Sequence, residues 1–593
     1  EQVKIRGYRI ETGEISSRIK QVDGVQDCVV IAKKDPSHDT VLCAYFTSKN
    51  DIDISKVKDE IRNYLPDYMI PPYMMQIESI PVTKNGKLDK AMLPEISLNV
   101  EKDYVKAENE KQEILCKLFK EVTGVEKVGI TNSFFELGGD SIKAIRVVSR
   151  LREEGYNCSV KDVMTYKTAK ALSEIITSEN TMVLSNEMIT GEVIFTPIMK
   201  EVYELNNGRI EKIIWSNVLS AKSIEKKILI DALDEIFRHH DMLRAIYHDG
   251  QIVIRKDDES DLYQFSDCVI NEEDGKDIKE RIKDIYNDVI SSFDLNGVLL
   301  KIKLVKTIEC DYLIVAVHHL LMDQVSWSIL MEDLEKTYDS LMEGKKIELP
   351  TKTTSFKRWS EKLLEYAKSE QIQEQKKYWE NIDYIVSQND RIVSGKHNFY
   401  RYTLNNNINE LSEMIKSKIN TTLSTVFLAA LIRSLSNIMS ANEFSVMVEK
   451  HGREHISSDI IIDRTIGWFT YKIPIILKVC DDIMKNIVNT KEKMLSIPDE
   501  GIGYGLLKYS NQLSDNYGHT DILYNYLGEN ELYQDNKIFR ETDIQSYSSR
   551  IESYDSGSYL TFNILINHGK VSFDIEYDTG IYNQHDIQQF IIC

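Results

Sequence analysis

The chain has 593 residues, which corresponds to roughly three to five domains of ordinary size. Its 42% hydrophobic and 28% charged residues are typical of globular protein and argue against wholesale disorder. A formal net charge of -21 disfavours nucleic acid as a partner, and the apolar runs are far shorter than the roughly 20 residues that span a bilayer, so no membrane partner is expected.

The eight cysteines are scattered without a C-x-x-C pair, so neither a zinc site nor a disulfide framework is predicted. A reducing, cytoplasmic location fits this pattern best. The chain opens on Glu1 and ends on Cys593 after an apolar stretch. We therefore expect a piece of a longer polypeptide.

Residues 1–97 predict a small α+β unit. The runs CVVIA at 28–32 and VLCAYFT at 41–47 indicate strands, and ISKVKDEIRNYL at 54–65 indicates a helix that ends before Pro66. A polar, aperiodic stretch follows and is typical of a linker.

Residues 107–180 predict a small helical bundle. Helices are expected at 109–123, from about Ser141 onward, and at 167–177; the apolar face of the second contains Ala144, Val147, Val148 and Leu151. In the preceding G-G-D-S, Asp140 can cap the helix and leave Ser141 at its positive end. An isolated G-G-D-S is more often a plain capping serine than an attachment site.

Residues 192–593 mix strands and helices and suit two lobes, at about 192–365 and 366–593. DYLIVAV at 311–317 predicts a buried strand that runs into HHLLMDQVSW and then a helix closed by Gly344. A loop between a strand and a helix is a favourable place for chemistry.

The candidate site residues of that loop are His318, His319, Asp323, Ser326 and Trp327. Neighbours on an extended strand point to opposite faces, so a metal site is disfavoured. One histidine should face a cavity, where it suits proton transfer, and the other should be buried and structural. We expect an ion pair between Asp323 and an arginine. His239 and His240 are predicted to be structural residues of a helix.

The segment FFELGGDSIKAIRVVSRL at 134–151 resembles the peptidyl carrier domains of nonribosomal peptide synthetases. The resemblance implies that Ser141 receives 4'-phosphopantetheine and that a phosphopantetheinyl transferase is a partner. An aspartate before the serine, here Asp140, suggests a carrier that serves an epimerization domain.

QVKIRGYRIETGEI at 2–15 and IPVTKNGKLDKAML at 80–93 resemble the closing motifs of the C-terminal lobe of an adenylation domain. The resemblance implies that Lys87 contacts the substrate carboxylate and phosphate; by itself a lysine in an N-G turn is more often solvated. The adenylation core lobe is an expected partner that is not part of this chain, and ATP and Mg would serve only that lobe. No adenylation is therefore expected from this chain alone.

The remaining segment resembles the condensation and epimerization superfamily, which has a two-lobed, chloramphenicol-acetyltransferase-like α/β fold with its active site in a tunnel between the lobes. The expected fold of the chain is therefore multidomain: a small α+β lobe, then the helical carrier bundle, then this two-lobed domain. The motifs that favour epimerization are Trp327, EKHGRE at 449–454, RTIGWFT at 464–470, GIGYGLLKY at 501–509 and YNYLG at 524–528.

The resemblance implies that His319 and Glu449 are the acid/base pair, with Asn525 and Tyr526 as candidates for stabilising the enolate oxygen. Gln324 and Lys450 stand where glycines are usual in the family, and this departure implies reduced or altered activity. Two alternatives stay open: a condensation domain that forms a peptide bond, and a non-catalytic docking module. A downstream condensation domain or synthetase is the expected further partner.

Overall fold

A computed structural model of the chain gives two compact units, Glu1–Lys106 and Ala107–Cys593. The residues that it describes are 2–5, 8–22, 24–34, 40–48, 52, 57, 60–61, 71, 73–77, 79–81, 88, 93, 105–125, 127–135, 137–178, 187–211, 213–259, 261–270, 277–382, 396–404, 408, 421–439, 441–457, 459–513, 520–529, 538–542, 544, 556–567 and 570–592.

The first unit contains a hairpin, a helix and a three-stranded sheet in the order β3-β4-β5. The strands predicted at 28–32 and 41–47 are confirmed. Most of the helix predicted at 54–65, and Lys87, lie outside the described residues. The elements are β1 Gln2–Ile5, β2 Tyr8–Glu11, α1 Thr12–Ile19, β3 Val25–Lys34, β4 Thr40–Ser48 and β5 Tyr73–Gln76.

The second unit begins with the predicted helical bundle. Its apolar face is confirmed, because Ala144, Val147 and Leu151 are fully buried. A further helix, held by a capping box of Ser159 and Asp162, was not predicted. The elements are α2 Glu110–Thr123, α3 Ser141–Glu153, β6 Tyr156–Asn157, α4 Val160–Tyr166, α5 Ala169–Ile175 and β7 Thr177–Ser178.

The first lobe contains a five-stranded sheet in the order β12-β13-β14-β9-β19 and a three-stranded sheet in the order β10-β11-β8. β19 comes from the later part of the chain and pairs antiparallel with β9. The strands are β8 Gly191–Val193, β9 Ile214–Ala221, β10 Ala245–His248, β11 Gln251–Ile254, β12 Gln264–Val269, β13 Leu300–Lys306, β14 Asp311–His318 and β19 Arg540–Glu541. The helices are α6 Pro197–Leu205, α7 Lys226–His239, α8 Ile278–Ser291, α9 Gln324–Met342 and α10 Phe356–Tyr366. A further helix, α11 Glu370–Glu380, leads into the second lobe.

The second lobe is built on a six-stranded sheet in the order β15-β21-β20-β18-β16-β17. β16 and β18 are parallel, so their carboxyl ends meet at the same edge of the sheet. The elements are β15 His397–Thr403, α12 Leu423–Met439, β16 Glu443–Lys450, β17 Tyr471–Lys478, α13 Ile483–Leu495, α14 Ile502–Lys508, β18 Thr520–Glu529, β20 Ser558–Asn567, β21 Lys570–Asp578 and α15 Gln584–Ile592.

Buried apolar side chains of both lobes form one contiguous core, which includes Leu219 and Leu313 of the first and Val446 and Ile575 of the second. Burial of this surface is the main favourable term that holds the lobes together. None of the helices in the described part of the chain has the length and apolar character needed to span a membrane.

Candidate functional site

The adjacent histidines after β14 occupy different environments. His318 is fully buried and uses both ring nitrogens: Nδ1 accepts from the Leu320 N–H at 3.2 Å, and Nε2 donates to the Ile210 carbonyl oxygen at 2.7 Å. These contacts fix a neutral ring, and burial lowers the pKa of His318 to about 4. His318 is therefore the structural member of the pair, as predicted for one of the two.

His319 opens a short 3₁₀ turn, His319–Leu321, instead of continuing the strand. The divergence of the two side chains therefore comes from this turn, which corrects the strand-alternation argument. The His319 ring lies 4.2 Å from the Trp468 ring, centroid to centroid, and lines a cavity. The aromatic contact limits the ring orientations that His319 can adopt.

Asp323 caps α9 and anchors the loop that follows the turn. Its carboxylate accepts from the backbone N–H groups of Ser326 at 2.8 Å and Phe469 at 3.0 Å. The buried guanidinium of Arg453 lies 3.4 Å from it, so the arginine ion pair expected from the sequence is present. This pair links the segment after β14 to the segment after β16.

Glu449 is the second-last residue of β16 and is half-buried. In the parallel pairing of β16 with β18, Val448 is the partner of Tyr524. Glu449 and Asn525 are the next residues on the two strands, so they lie at the same edge of the second-lobe sheet.

Asn525 and Tyr526 lie near the irregular end of β18. Asn525 Nδ2 donates to Asn563 Oδ1 at 3.2 Å, across the parallel pair of β18 with β20. The register shifts between Tyr526 and Gly528, where Gly528 has a φ of +77°. Such a φ favours glycine, and the shift bends the strand away from a regular course.

One cavity of about 90 Å³ brings most of the predicted site residues together. The predicted residues that line it are His319 and Asp323 of the first lobe and Glu449, Asn525 and Tyr526 of the second. His318 and Trp327 do not line it. Trp327 is 1% exposed and belongs to the hydrophobic core, so its contribution to the site is indirect.

Sequence reasoning missed part of the cavity wall. Trp215 of β9 lies edge-on to His319, with ring centroids 6.0 Å apart, and Asn563 reaches the cavity from β20. Neither residue belongs to a recognisable motif. The register of β18 with β20 identifies Asn563 as the partner of Asn525, and register becomes known only from the folded sheet.

The two departures from the family pattern also line the cavity. Gln324 is the first residue of α9, a helical position that does not need the backbone freedom of glycine. The Lys450 ammonium group lies 3.4 Å from the carboxylate of Glu500. Each substituted residue thus has a regular structural role in this chain.

A largely buried acidic residue, Glu454, follows Glu449 by five positions and is 11% exposed. The Tyr471 hydroxyl is 3.0 Å from Glu454 Oε1. Burial, reinforced by the charge of Glu500, raises the pKa of Glu454 to about 7. Burial also lowers the pKa of the nearby His451 to about 4, with Lys450 acting in the same direction.

Ser141 is the first residue of α3, and Asp140 caps that helix by accepting from the Lys143 N–H at 2.8 Å. The next residue, Ile142, lines the cavity with His319 and Glu449. The positive end of the helix favours a phosphate on Ser141. The residues present therefore fit a phosphopantetheine arm, which these side chains would hold near the cavity.

His239 ends α7 and His240 follows it, and neither reaches this cavity. His240 Nε2 lies 2.8 Å from the buried carboxylate of Asp333, which agrees with a structural role. Burial lowers the pKa of His239 to about 3.

Three family models match the chain in succession. Residues 14–87 match the AMP-binding enzyme C-terminal domain, residues 113–176 match the phosphopantetheine attachment site, and residues 191–592 match the condensation domain. The fold is thus a small adenylation-type lobe, a carrier domain and a two-lobed condensation-type domain. The attachment-site match indicates covalent 4'-phosphopantetheine. The domain limits set out from the sequence stay a prediction.

Relatives match along almost the whole chain. Bacitracin synthase 3 of Bacillus licheniformis is 31% identical over 99% of this chain and 10% of its own length. Gramicidin S synthase 1 of Brevibacillus brevis is 32% identical over 99% of this chain and 56% of its own length. The chain therefore spans only part of these synthetases.

Solved structures match the condensation-type domain. The epimerization domain from the third module of tyrocidine synthetase B is 26% identical, covers 69% of this chain and 96% of its own, and has a TM-score of 0.61. The first condensation domain of the CDA synthetase shares the fold at 14% identity, covering 68% and 93%, with a TM-score of 0.51. The chain belongs to the condensation-domain family of the nonribosomal peptide synthetases.

Proposed function

We propose that this chain inverts the α-carbon of an aminoacyl or peptidyl thioester that it carries on Ser141. The observation that supports the proposal most directly is that His319 and Glu449 line one cavity from different lobes. Ile142, the neighbour of Ser141, lines the same cavity. The 26% identity to a solved epimerization domain, against 14% for a condensation domain of the same fold, also favours inversion.

Inversion requires two groups that exchange protons on opposite faces of one carbon. One of His319 and Glu449 takes the α-proton as the C–H bond breaks, and the other delivers a proton as a new C–H bond forms. One group is left with an extra proton and the other with one fewer. The pair resets by exchange with solvent, so solvent hydrogen must enter the α-position.

The other lining residues have supporting roles. Asn525 and Tyr526 stabilise the negative charge that develops on the thioester oxygen while the α-proton is absent. Asp323, through Arg453, fixes the loop that presents His319. Phosphopantetheine supplies the thioester itself, whose α-proton is more acidic than that of an ester or amide.

The domain limits we propose are 1–97, 107–180 and 192–593. In the first of these Lys87 would serve adenylation only with an adenylation core lobe, ATP and Mg supplied by the rest of the synthetase. A phosphopantetheinyl transferase modifies Ser141, and a downstream condensation domain or synthetase receives the inverted product.

The test is deuterium exchange at the α-carbon of the loaded chain. A phosphopantetheinyl transferase and an aminoacyl coenzyme A load Ser141 directly, which avoids the adenylation step. In deuterated water we expect the intact chain to incorporate deuterium and to give both enantiomers after thioester hydrolysis. His319→Ala should slow incorporation by about 10²–10⁴-fold, the usual contribution of a general acid or base.

His248→Ala is the matched control, because His248 is an exposed histidine of the same lobe. It should exchange at the wild-type rate, and Ser141→Ala should not load. Absence of incorporation by the intact, loaded chain would overturn the proposal. Formation of an amide bond when a second aminoacylated carrier is added would identify the condensation alternative instead.

A further inference from the structure

The carrier helix α3 touches the condensation-type domain near its first turn. Ile142 lines the cavity, and a Cβ placed on Gly528 would lie 3.1 Å from Ile142 Cδ1. The same Cβ would be 3.9 Å from Asp140 Oδ2. The bare backbone at Gly528 therefore gives the serine end of the helix room to approach the cavity.

The last turn of α3 makes a second contact, of a different chemical kind. Arg152 Nη1 forms an ion pair with Asp463 Oδ1, and the side chains are only 11% and 6% exposed. Arg150 lies 3.9 Å from Glu332, and these side chains are more exposed. Removing or reversing one partner of a close ion pair shielded from water costs more than doing so in an exposed pair, so the Arg152 pair is the one most sensitive to mutation.

These two contacts, at opposite ends of α3, together fix the direction of the helix. Along an α-helix the distance from Ser141 to Arg152 is about 16 Å, at 1.5 Å per residue. The apolar contact at Ile142 by itself would let the helix pivot about the cavity mouth. The charged contact at the far end removes that freedom and keeps the serine end directed at the cavity.

We propose that Asp463 is a docking residue, whose pairing with Arg152 orients the carrier helix so that Ser141 faces the cavity. The surface formed by Asp463, Glu332 and Gly528 then fits a helix that begins with a serine and an aliphatic residue. The same helix has arginines one and three residues before its last residue. The inference rests on the proposed function, because it gives the route by which the acyl group enters.

Charge reversal tests the pair in the full chain. Arg152→Asp and Asp463→Arg should each slow α-deuterium incorporation by about tenfold or more, because each places like charges in contact. The double variant restores opposite charges and should return to within about threefold of wild type. Lys117→Glu is the matched control, since the exposed Lys117–Glu154 pair lies inside the carrier.

A readout that does not depend on activity comes from cross-linking. Arg150→Cys with Glu332→Cys places two thiols close together when the carrier is docked, and the cross-linked peptide is measured by mass spectrometry. We expect its yield to fall on adding Asp463→Arg and to recover on adding Arg152→Asp as well. Loading of Ser141 by the transferase should be unchanged in every variant, which reports a folded carrier.

Single variants that cross-link and exchange at the wild-type level, or a double variant that does not recover, would overturn the docking assignment. Cross-linking in the chain that carries only Arg150→Cys and Glu332→Cys, together with absence of deuterium incorporation by the loaded wild-type chain, would overturn the proposed function and leave the docking pair standing.

Discussion

Each segment that carries a proposed acid/base group also contains a largely buried carboxyl a few residues later, and the two carboxyls have different partners. Asp323, four residues after His319, lies beside the guanidinium of Arg453 and accepts two backbone N–H bonds. Glu454, five residues after Glu449, has a phenol as its hydrogen-bond partner instead of a cation. The first-lobe carboxyl is therefore a paired charge, whereas the second-lobe carboxyl has no directly bonded cation among the described residues.

The donors around Glu454 indicate a neutral group. The Tyr471 hydroxyl lies 3.0 Å from Glu454 Oε1 and 3.2 Å from the Glu500 carbonyl oxygen, and one phenol proton serves only one acceptor. Both contacts are hydrogen bonds when Glu454 keeps its proton and donates it to the phenol oxygen. His451 Nδ1, 3.8 Å away, already accepts from the Arg453 N–H and supplies no charge.

The two carboxyls are therefore sensitive to different changes. Removal of one partner from a buried ion pair leaves an uncompensated charge, so the Asp323–Arg453 pair is sensitive to mutation. A neutral, largely buried carboxyl loses its proton when the pH rises, so the Glu454 region is sensitive to pH.

The largest expected effect comes from removing the second-lobe acid/base group itself. Glu449→Gln should slow α-deuterium incorporation by about 10²–10⁴-fold, as His319→Ala does, because both faces of the carbon need a proton-exchanging group. The measurement starts from separately loaded L and D thioesters. For each variant, the direction of inversion that is slowed more reports the face of the α-carbon that the replaced residue serves. Glu443→Gln, at the other end of β16, is the control. A rate within twofold of wild type for Glu449→Gln would remove the second lobe from proton transfer.

The next largest effect is expected from breaking the Asp323–Arg453 ion pair. Arg453→Met should lower the free energy of unfolding by about 3–5 kcal/mol, because Asp323 is left charged and buried. Denaturant titration followed by tryptophan fluorescence measures it. Arg358→Met is the control: Arg358 is 49% exposed in its pair with Glu361, and its removal should cost no more than about 1 kcal/mol. Equal losses for the two variants would contradict the assignment of Asp323 as a buried charge.

The protonation of Glu454 is tested by measuring stability as a function of pH. The folded pKa of Glu454, about 7, lies above the ordinary glutamate value of about 4.3, so the folded state holds a proton that the unfolded state releases. This contribution to stability is complete below about pH 4 and is lost as the pH rises through 7. Glu454→Gln is permanently neutral. The melting temperature of this variant minus that of wild type should therefore increase as the pH goes from 5 to 8.

Tyr471→Phe is the matched variant, since it removes the phenol hydroxyl and leaves Glu454 in place. It should lower the melting temperature at pH 5, where the two hydrogen bonds exist in wild type. A difference between Glu454→Gln and wild type that stays constant from pH 5 to pH 8 would show that Glu454 does not titrate in this range.

Local patterns were sufficient to predict several of the elements. Helix periodicity identified the buried face of α3, and the apolar run before His318 identified β14. The partition of the two histidines was also predicted, although the cause is the 3₁₀ turn at His319. These features depend on residues near one another in the chain, which is where periodicity and capping act.

Contacts between distant segments could not be predicted. The Arg152–Asp463 pair joins residues 311 positions apart, and β19 pairs with β9 from the far end of the chain. A single sequence shows which faces are buried but not which partner covers them. Trp215 and Asn563 were missed for the same reason, because only the assembled sheets bring them to the cavity.

The smallest expected effect concerns Lys450, the cation beside Glu449. Lys450→Met should change the rate of α-deuterium incorporation by no more than about fivefold, since exposed ion pairs contribute at most about 1 kcal/mol. The reason is that the Lys450 ammonium lies 3.4 Å from Glu500, a carboxylate that is 59% exposed and whose charge offsets that of the lysine. Glu500→Gln is the informative partner variant, because it leaves the lysine charge unbalanced and should slow exchange more than Lys450→Met does. An increase above tenfold in Lys450→Met would instead mark the lysine as an inhibitory substitution and support the altered activity that its replacement of a usual glycine implies.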